Sequence, residues 1–185
     1  MIRPTLSLQG ALFCALALTA LSALAGSGVP RKPGFGLLGR KEPAPRFNAT
    51  TTTGEKFNND SIKGKVTLFE FWTTWCGYCA DEAPFVDKIG KEYASKGLVV
   101  LAVNVGESKK TVKKYLEQHP RSTRIVLMED TNLAAMYAAK VYPIYVVIDR
   151  EGFIAGEQRG AAGEEALRDL LARGGIGDED EDNGK

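Results

Sequence analysis

A strongly apolar stretch runs directly into a pair of cysteines, and this junction constrains the fold more than any other part of the chain. Residues 66–72 are almost all apolar or aromatic and follow the turn sequence Lys63-Gly64-Lys65. Such a run predicts a strand that is buried on both faces of a sheet. Cys76 and Cys79 follow, separated by two residues, where a helical pattern begins. This order indicates dithiol chemistry at the N-terminus of a helix.

Strand and helix patterns alternate along the rest of the domain. Residues 47–57 predict a β-hairpin that turns at Thr53-Gly54. Further strands are predicted at residues 98–103, 125–128, 144–148 and 153–157, and helices at residues 76–97, 108–119, 131–139 and 164–173. Pro84 lies inside the first of these helices and is expected to bend it. The alternation predicts an α/β fold with a mixed central sheet.

The two ends of the chain predict segments outside this domain. Residues 1–25 contain one charge and a Leu/Ala-rich run, and they end in Ala23-Leu24-Ala25. This pattern predicts a signal peptide cleaved after Ala25, and the alternative is an uncleaved membrane anchor. Residues 26–43 are rich in Gly and Pro and predict a flexible linker, residues 44–174 the domain, and residues 175–185 an acidic, disordered tail.

The charge balance limits the classes of partner. Removal of Arg3 with the signal peptide leaves 23 basic residues, one fewer than the 24 of the whole chain, against 23 acidic residues. A net charge near zero gives no electrostatic basis for binding nucleic acid or an anionic membrane surface. Export predicts a periplasmic or other extracytoplasmic location, in which disulfides persist.

The Cys pair itself predicts redox chemistry. The free amides and the dipole of a helix N-terminus stabilise a thiolate at Cys76, which makes it the expected nucleophile. Cys79 lies one turn further along and is expected to resolve the mixed disulfide formed at Cys76. The alternative is half of a zinc site, but the mature chain offers only His119 as a further soft or imidazole ligand. We therefore predict no metal and no cofactor.

Two carboxylates are candidates for proton transfer. Glu70 lies within the predicted buried strand, where burial disfavours its charge and raises its pKa. From there it could exchange a proton with Cys79, and the alternative is an edge position where Glu70 is solvated or salt-bridged. Glu82 follows Cys79 by three residues, shares its helical face and is the weaker candidate for the same tuning.

The active-site stretch resembles that of the thioredoxin superfamily. The resemblance rests on Phe71-Trp72, Trp75-Cys76-Gly77-Tyr78-Cys79 and Pro84. Export, Gly64-Lys65-Val66 and residues 103–108 resemble the extracytoplasmic TlpA/ResA-like thiol-disulfide oxidoreductases in particular. The resemblance implies a thioredoxin fold, with helices on both faces of the mixed sheet and the β-hairpin as an N-terminal extension.

The resemblance also implies roles for individual residues. Cys76 is then the nucleophile, Cys79 the resolving thiol, Glu70 the buried acid and Glu82 the active-site glutamate of the ResA-like group. Pro143 falls where the family carries a cis-proline that binds the partner's backbone. Tyr142 stands where relatives have a small or β-branched residue, and it is expected to reshape the partner groove. The residues expected to contact the partner are Trp75, Gly77, Tyr78, Tyr142 and Pro143.

The leading functional prediction is an exported, monomeric enzyme that reduces disulfides in other extracytoplasmic proteins and receives electrons from a membrane thiol-disulfide donor. Gly77-Tyr78 between the cysteines resembles the pair in periplasmic disulfide isomerases, so an isomerase or oxidant is the alternative within the same class. The alternative from a different class is a thioredoxin-fold metal-binding chaperone, which would be expected to use His119.

Overall fold

The computed structural model describes residues 41–177. The strands of this part are β1 (Asn48–Thr51), β2 (Lys56–Asn58), β3 (Val66–Trp72), β4 (Leu98–Asn104), β5 (Arg124–Thr131), β6 (Ile144–Ile148) and β7 (Ile154–Arg159). Its helices are α1 (Gly77–Glu92), α2 (Lys109–Gln118), α3 (Leu133–Met136) and α4 (Gly163–Arg173). The predicted signal peptide, most of the predicted linker and the acidic run lie outside the described residues.

All the strands join one mixed sheet in the order β2-β1-β5-β4-β3-β6-β7. The three central strands are parallel, because β3 pairs with β4 and β4 pairs with β5 in the same direction. The outer strands are antiparallel, including the β1–β2 hairpin and the β6–β7 hairpin. The predictions of a mixed sheet and of an N-terminal hairpin are confirmed.

Strand β3 lies in the middle of the sheet, and all seven of its residues are buried. Alternate side chains enter two different cores, as the pleat of a strand requires. Val66 and Leu68 pack with side chains from α1 and α4, whereas Phe69 and Phe71 pack with side chains from α3. Helices therefore cover both faces, and Glu70 lies on the same face of β3 as Leu68.

Three predicted elements have different lengths in the structure. Helix α1 ends at Glu92, five residues before the predicted end at 97, and a turn follows it as far as Gly97, whose φ is 87°. Strand β5 extends to Thr131, beyond the predicted end at Met128, because β1 pairs with it and Ala49 lies opposite Thr131. Helix α3 is correspondingly confined to Leu133–Met136, although residues 131–139 predicted a helix. Ala138, beyond its end, has a φ of 46°, which is outside the helical range.

Residues next to both predicted domain boundaries also take part in the fold. Pro43 forms a β-bridge with Phe153, and Lys41 forms an ion pair with Asp149 at 3.1 Å. Ile176, inside the predicted acidic tail, is only 1% exposed and packs with the α1–α4 core. The packed domain thus extends a few residues before the predicted limit at 44 and a few residues beyond the predicted limit at 174.

Candidate active site

The cysteine pair lies where the sequence places it, at the start of α1. Cys76 is the N-cap residue and has extended backbone angles, and the backbone N–H of Cys79 donates to its Sγ atom at 3.1 Å. The two cysteines form a disulfide, with their Cα atoms 5.2 Å apart. A thiolate at the position of this Sγ would accept the same N–H and would face the positive end of the helix dipole.

The environments of the two sulfur-bearing residues differ. Cys76 is 7% exposed and Cys79 is 2% exposed. Both pack in a cluster with Trp72, Ala102 and apolar residues of α2 and β5. Because a partner protein must reach the attacking sulfur, this difference favours Cys76 as the nucleophile and Cys79 as the resolving thiol.

Glu70 is fully buried and pairs with an arginine that the sequence pattern did not single out. The Nη2 atom of Arg121 lies 2.8 Å from Oε2 of Glu70, and its Nη1 atom lies 3.4 Å from Oε1. The Nε atom of the same guanidinium donates to Asp87 at 3.1 Å. The side chain of Arg121 is only 5% exposed. Glu70 is therefore neither at an edge nor solvated, but it is salt-bridged in the interior.

Burial and the neighbouring charges shift the pKa values of both members of this pair. Burial raises the pKa of Glu70, the Arg121 guanidinium opposes that rise, and the carboxylates of Asp87 and Glu82 add to it. Burial lowers the pKa of Arg121, but the carboxylates of Glu70 and Asp87 outweigh it, so the net shift is upwards. Arg121 lies in a loop after Pro120, 51 positions after Glu70 in the sequence. No local pattern marks it as the partner of Glu70.

Glu82 is also buried, but its partners are neutral donors. The Tyr145 hydroxyl donates to Oε2 of Glu82 at 2.9 Å. The backbone N–H groups of Ala162 and Gly163 donate to Oε1 at 2.8 and 2.6 Å. Burial raises the pKa of Tyr145, and the carboxylates of Glu70 and Glu82 raise it further. Glu82 thus joins α1 to β6 and to the first residue of α4, and its predicted tuning of the dithiol stays a prediction.

A third carboxylate, Glu107, holds the loop that leads to Cys76. Its Oε2 atom accepts hydrogen bonds from the backbone N–H of Thr74 at 2.7 Å and from Nδ2 of Asn104 at 2.8 Å. Its Oε1 atom accepts a hydrogen bond from the Thr74 hydroxyl. Glu107 belongs to the segment 103–108 that carries part of the family resemblance, but the sequence alone gave it no role.

Three of the predicted partner-binding residues lie within two positions of Cys76 in the sequence, and Tyr142 contacts one of them. Trp75 and Tyr78 are each 71% exposed, and Gly77 between the cysteines faces open space. The ring of Tyr142 meets that of Trp75 edge to face at 5.8 Å and packs against the cluster that contains both cysteines.

The peptide bond between Tyr142 and Pro143 is cis, as the resemblance implies. The Tyr142 hydroxyl donates to the backbone oxygen of Ala139 at 2.9 Å, and the backbone oxygen of Pro143 accepts from the N–H of Gly160 at 2.8 Å. The Tyr142 side chain and the Pro143 backbone therefore each have a backbone hydrogen-bond partner.

Among residues 41–177, no three His, Cys, Asp or Glu side chains are grouped in a way that could hold a metal ion. His119, the ligand that a metal-binding alternative needs, is exposed and stacks on the ring of Tyr115 at 4.4 Å. In the same part of the chain, no helix is both long and apolar enough to cross a bilayer.

Comparison with known proteins agrees with this arrangement. The family model described as "AhpC/TSA family" matches residues 41–156, which is more than half of the chain. The chain belongs to this family. Over 128 residues it is 30% identical to the thiol-disulfide oxidoreductase ResA of Bacillus subtilis, with coverage of 69% of this chain and 72% of the relative. Over 116 residues it is 36% identical to the thioredoxin-like protein YneN of the same organism, with coverage of 61% and 67%.

Solved structures extend the same relationship. A crystal structure from Chlorobium tepidum, of a protein provisionally assigned as thiol:disulfide interchange protein DsbE, matches with a TM-score of 0.66 and 27% identity. The match covers 74% of this chain and 98% of that protein. This AhpC/TSA family member therefore has a thioredoxin fold and is a thiol-disulfide oxidoreductase of the ResA/DsbE type, which confirms the resemblance and the enzyme class predicted from the sequence.

Proposed function

We propose that this oxidoreductase is exported and acts as a reductant of disulfides in other extracytoplasmic proteins. The observation that carries the proposal is the placement of the Cys76 sulfur at the N-cap of α1, where it accepts the N–H of Cys79 and lies beside exposed aromatic side chains. That placement stabilises a thiolate that a partner's disulfide can reach. The signal-peptide pattern of residues 1–25 supports the location.

The reaction proceeds through a mixed disulfide. The Cys76 thiolate attacks one sulfur of the partner's disulfide, a bond between Cys76 and the partner forms, and the partner's second sulfur leaves as a thiolate. Cys79 then loses its proton and attacks Cys76, which forms the Cys76–Cys79 disulfide and releases the partner's first sulfur. The partner gains two electrons and the enzyme dithiol loses two, which a membrane thiol-disulfide donor would restore. Glu70 and Glu82 are the groups proposed to tune these proton transfers.

Reduction of insulin by the dithiothreitol-reduced enzyme tests the chemistry. We expect Cys76→Ser to abolish turnover and Cys79→Ser to accumulate a mixed disulfide that non-reducing gels detect. Retention of insulin reduction by Cys76→Ser, or failure of Cys79→Ser to trap a partner, would contradict the assignment of the two sulfurs.

The reduction potential of the pair tests the direction. A potential of about −270 mV, typical of thioredoxin, supports a reductant, whereas a potential of about −120 mV, typical of DsbA, would instead indicate an oxidant. The measurement is an equilibrium with glutathione or dithiothreitol buffers, followed by alkylation of the free thiols. An intermediate value near −180 mV, typical of protein disulfide isomerase, favours the isomerase alternative that Gly77-Tyr78 suggests.

The partner-binding surface is tested by comparing a protein substrate with a small one. Trp75→Ala removes an exposed aromatic side chain next to Cys76, and we expect it to slow insulin reduction more than reduction of a small aromatic disulfide. Met136→Ala is the matched control, because Met136 is also an exposed apolar residue (42%) but belongs to α3 on the other face of the sheet. Equal effects of Trp75→Ala on both substrates would argue against a binding role.

A further inference from the structure

Arg121 is a buried cation to which the reaction described above assigns no role. Its guanidinium contacts two carboxylates at once: Glu70 through Nη1 and Nη2, and Asp87 through Nε. Asp87 in turn accepts the backbone N–H groups of Ser122 and Thr123, so the loop that carries Arg121 is fixed to α1. Together these contacts hold the guanidinium over Glu70 in one orientation.

The strand register places this ion pair beside the buried cluster that contains the resolving cysteine. Glu70 of β3 lies beside Ala102 of β4, and side chains of paired residues point to the same face of a sheet. Ala102 packs in the cluster that contains Cys76, Cys79 and Trp72. The Arg121 guanidinium lies 5.9 Å from the centre of the Trp72 ring. The Glu70–Arg121 pair therefore adjoins the buried cluster that contains the dithiol.

The other groups that face Glu70 favour its neutral form. Asp87 and Glu82 on α1 are carboxylates that raise its pKa. The hydroxyls of Tyr115 on α2 and Tyr145 on β6 are also close enough for Glu70 to influence their pKa values, but they carry no positive charge. Arg121 is thus the group that opposes both the burial of Glu70 and the repulsion from neighbouring carboxylates. A fully buried carboxylate that has neither a cation nor several hydrogen-bond donors takes up a proton instead of remaining charged.

We propose that Arg121 is a positioning residue for the dithiol reaction: it holds Glu70 in the ionised form so that Glu70 can accept the proton of Cys79 during the resolving step. This rests on the proposed function, because it concerns the step that follows attack by Cys76. In that step the S–H proton of Cys79 passes to the Glu70 carboxylate, the Cys79 sulfur bonds to the Cys76 sulfur, and the bond from Cys76 to the partner breaks. The partner's sulfur departs with the bonding pair as a thiolate.

The two steps can be separated with 5,5′-dithiobis-(2-nitrobenzoate) and the reduced enzyme under stopped flow. Attack by Cys76 releases one thionitrobenzoate in the first phase, and attack by Cys79 on the resulting mixed disulfide releases the second. The rate of the second phase between pH 5 and pH 9 reports the protonation state of the group that accepts the Cys79 proton. Cys79→Ser identifies the second phase, because it removes that phase alone.

We expect Arg121→Met to slow the second phase at pH 7 about tenfold more than the first and to move its pH midpoint upwards, because Glu70 then stays protonated to higher pH. Arg121→Lys restores a positive charge and is expected to return the midpoint towards that of the wild type. Arg124→Met is the matched control, since Arg124 forms an exposed ion pair with Glu55. It is expected to leave both phases unchanged.

A double variant shows whether Arg121 acts through Glu70. Glu70→Gln is expected to slow the second phase, and adding Arg121→Met to it is expected to change the rate less than threefold. A further tenfold loss in the double variant, or an unchanged pH midpoint in Arg121→Met, would overturn the proposal. If Arg121→Met does not fold, the double variant decides the question, because it contains no uncompensated carboxylate at position 70.

The same experiment distinguishes failure of this inference from failure of the proposed function. Absence of the first phase in the wild type would contradict nucleophilic attack by Cys76 and hence the proposed function. A normal first phase, together with a second phase that does not respond to Arg121→Met, would contradict only the role of Arg121.

Discussion

Glu70 and Glu82 are both buried near the dithiol, one on the strand before it and one on the helix after it, and their partners differ in kind. Glu70 is held by a guanidinium that is itself buried. Glu82 is held by a tyrosine hydroxyl and by two backbone N–H groups next to α4. The first arrangement depends on a second charge from a distant loop, whereas the second depends on neutral donors fixed by the backbone.

This difference teaches how the fold can keep two carboxylates in its interior near one reaction centre. When one member of a buried ion pair is removed, the other charge remains uncompensated in a medium of low dielectric constant. A carboxylate held by three neutral donors loses one hydrogen bond at a time. The Glu70 site is therefore expected to be the more sensitive of the two to substitution.

The largest expected effect is that of Arg121→Met on stability. It leaves Glu70 buried without a cation, and loss of one member of a buried pair costs about 3–5 kcal/mol in the free energy of unfolding. Burial raises the pKa of Glu70, and the variant lacks the cation that opposes that rise, so the pKa of Glu70 is higher in the folded variant than in the folded wild type. The stability of the variant relative to the wild type is thus expected to fall as pH rises above the ordinary range of a glutamate. Urea unfolding at pH 5 and pH 8 measures the difference, and an equal loss at both would indicate lost packing.

Glu82→Gln is expected to have a smaller effect, of about 2 kcal/mol. The amide oxygen can still accept from the two backbone N–H groups, but the NH₂ group then meets the Tyr145 hydroxyl, which must turn from donor to acceptor. Hydrogen bonds to a carboxylate, which contribute about 1.5–3 kcal/mol, are replaced by weaker ones to a neutral amide. The same unfolding measurement applies. Asp81→Asn is the control, since Asp81 is the preceding residue on α1 and is exposed, so we expect a change within about 0.5 kcal/mol. A loss as large as that of Arg121→Met would contradict the distinction between the two sites.

Tyr145→Phe sharpens the comparison on the Glu82 side, with an expected loss of about 1 kcal/mol. It removes one of three donors to Glu82 and leaves the N–H groups of Ala162 and Gly163 in place. Because both residues take part in one hydrogen bond, the double variant with Glu82→Gln is expected to lose less than the sum of the single losses. Strictly additive losses would show that the two side chains are not coupled.

The smallest expected effect on stability is that of Arg124→Met, which breaks an Arg–Glu ion pair at the surface. Arg124 lies 3.0 Å from Glu55, and their side chains are 43% and 49% exposed. Solvent screens such a pair, so Arg124→Met is expected to change the free energy of unfolding by less than about 0.5 kcal/mol. A loss comparable to that of Arg121→Met would mean that burial is not what makes the Glu70 pair important.

Much of the fold could be predicted from the sequence because it depends on local patterns. The buried run before Cys76 predicted β3, the pattern of residues 108–119 predicted α2, and Thr53-Gly54 predicted the β1–β2 hairpin. The ends of β5 and α3 could not be predicted. Thr131 continues β5 only because Ala49, 82 positions earlier, lies opposite it, and a strand pairing at that distance leaves no mark in a local pattern.

By itself, the sequence determined the position of the Cys pair at a helix N-terminus, the placement of Glu70 in a covered strand and the family to which the chain belongs, because each of these depends on neighbouring residues. The tertiary structure alone decided which groups pair with the carboxylates near the site. Arg121 reaches Glu70, Tyr145 reaches Glu82 and Glu107 reaches Thr74 across distances of 51, 63 and 33 positions. These contacts exist because the sheet and α1 bring distant segments together. A buried carboxylate needs a hydrogen-bonding or charged partner, since burying it without one is costly.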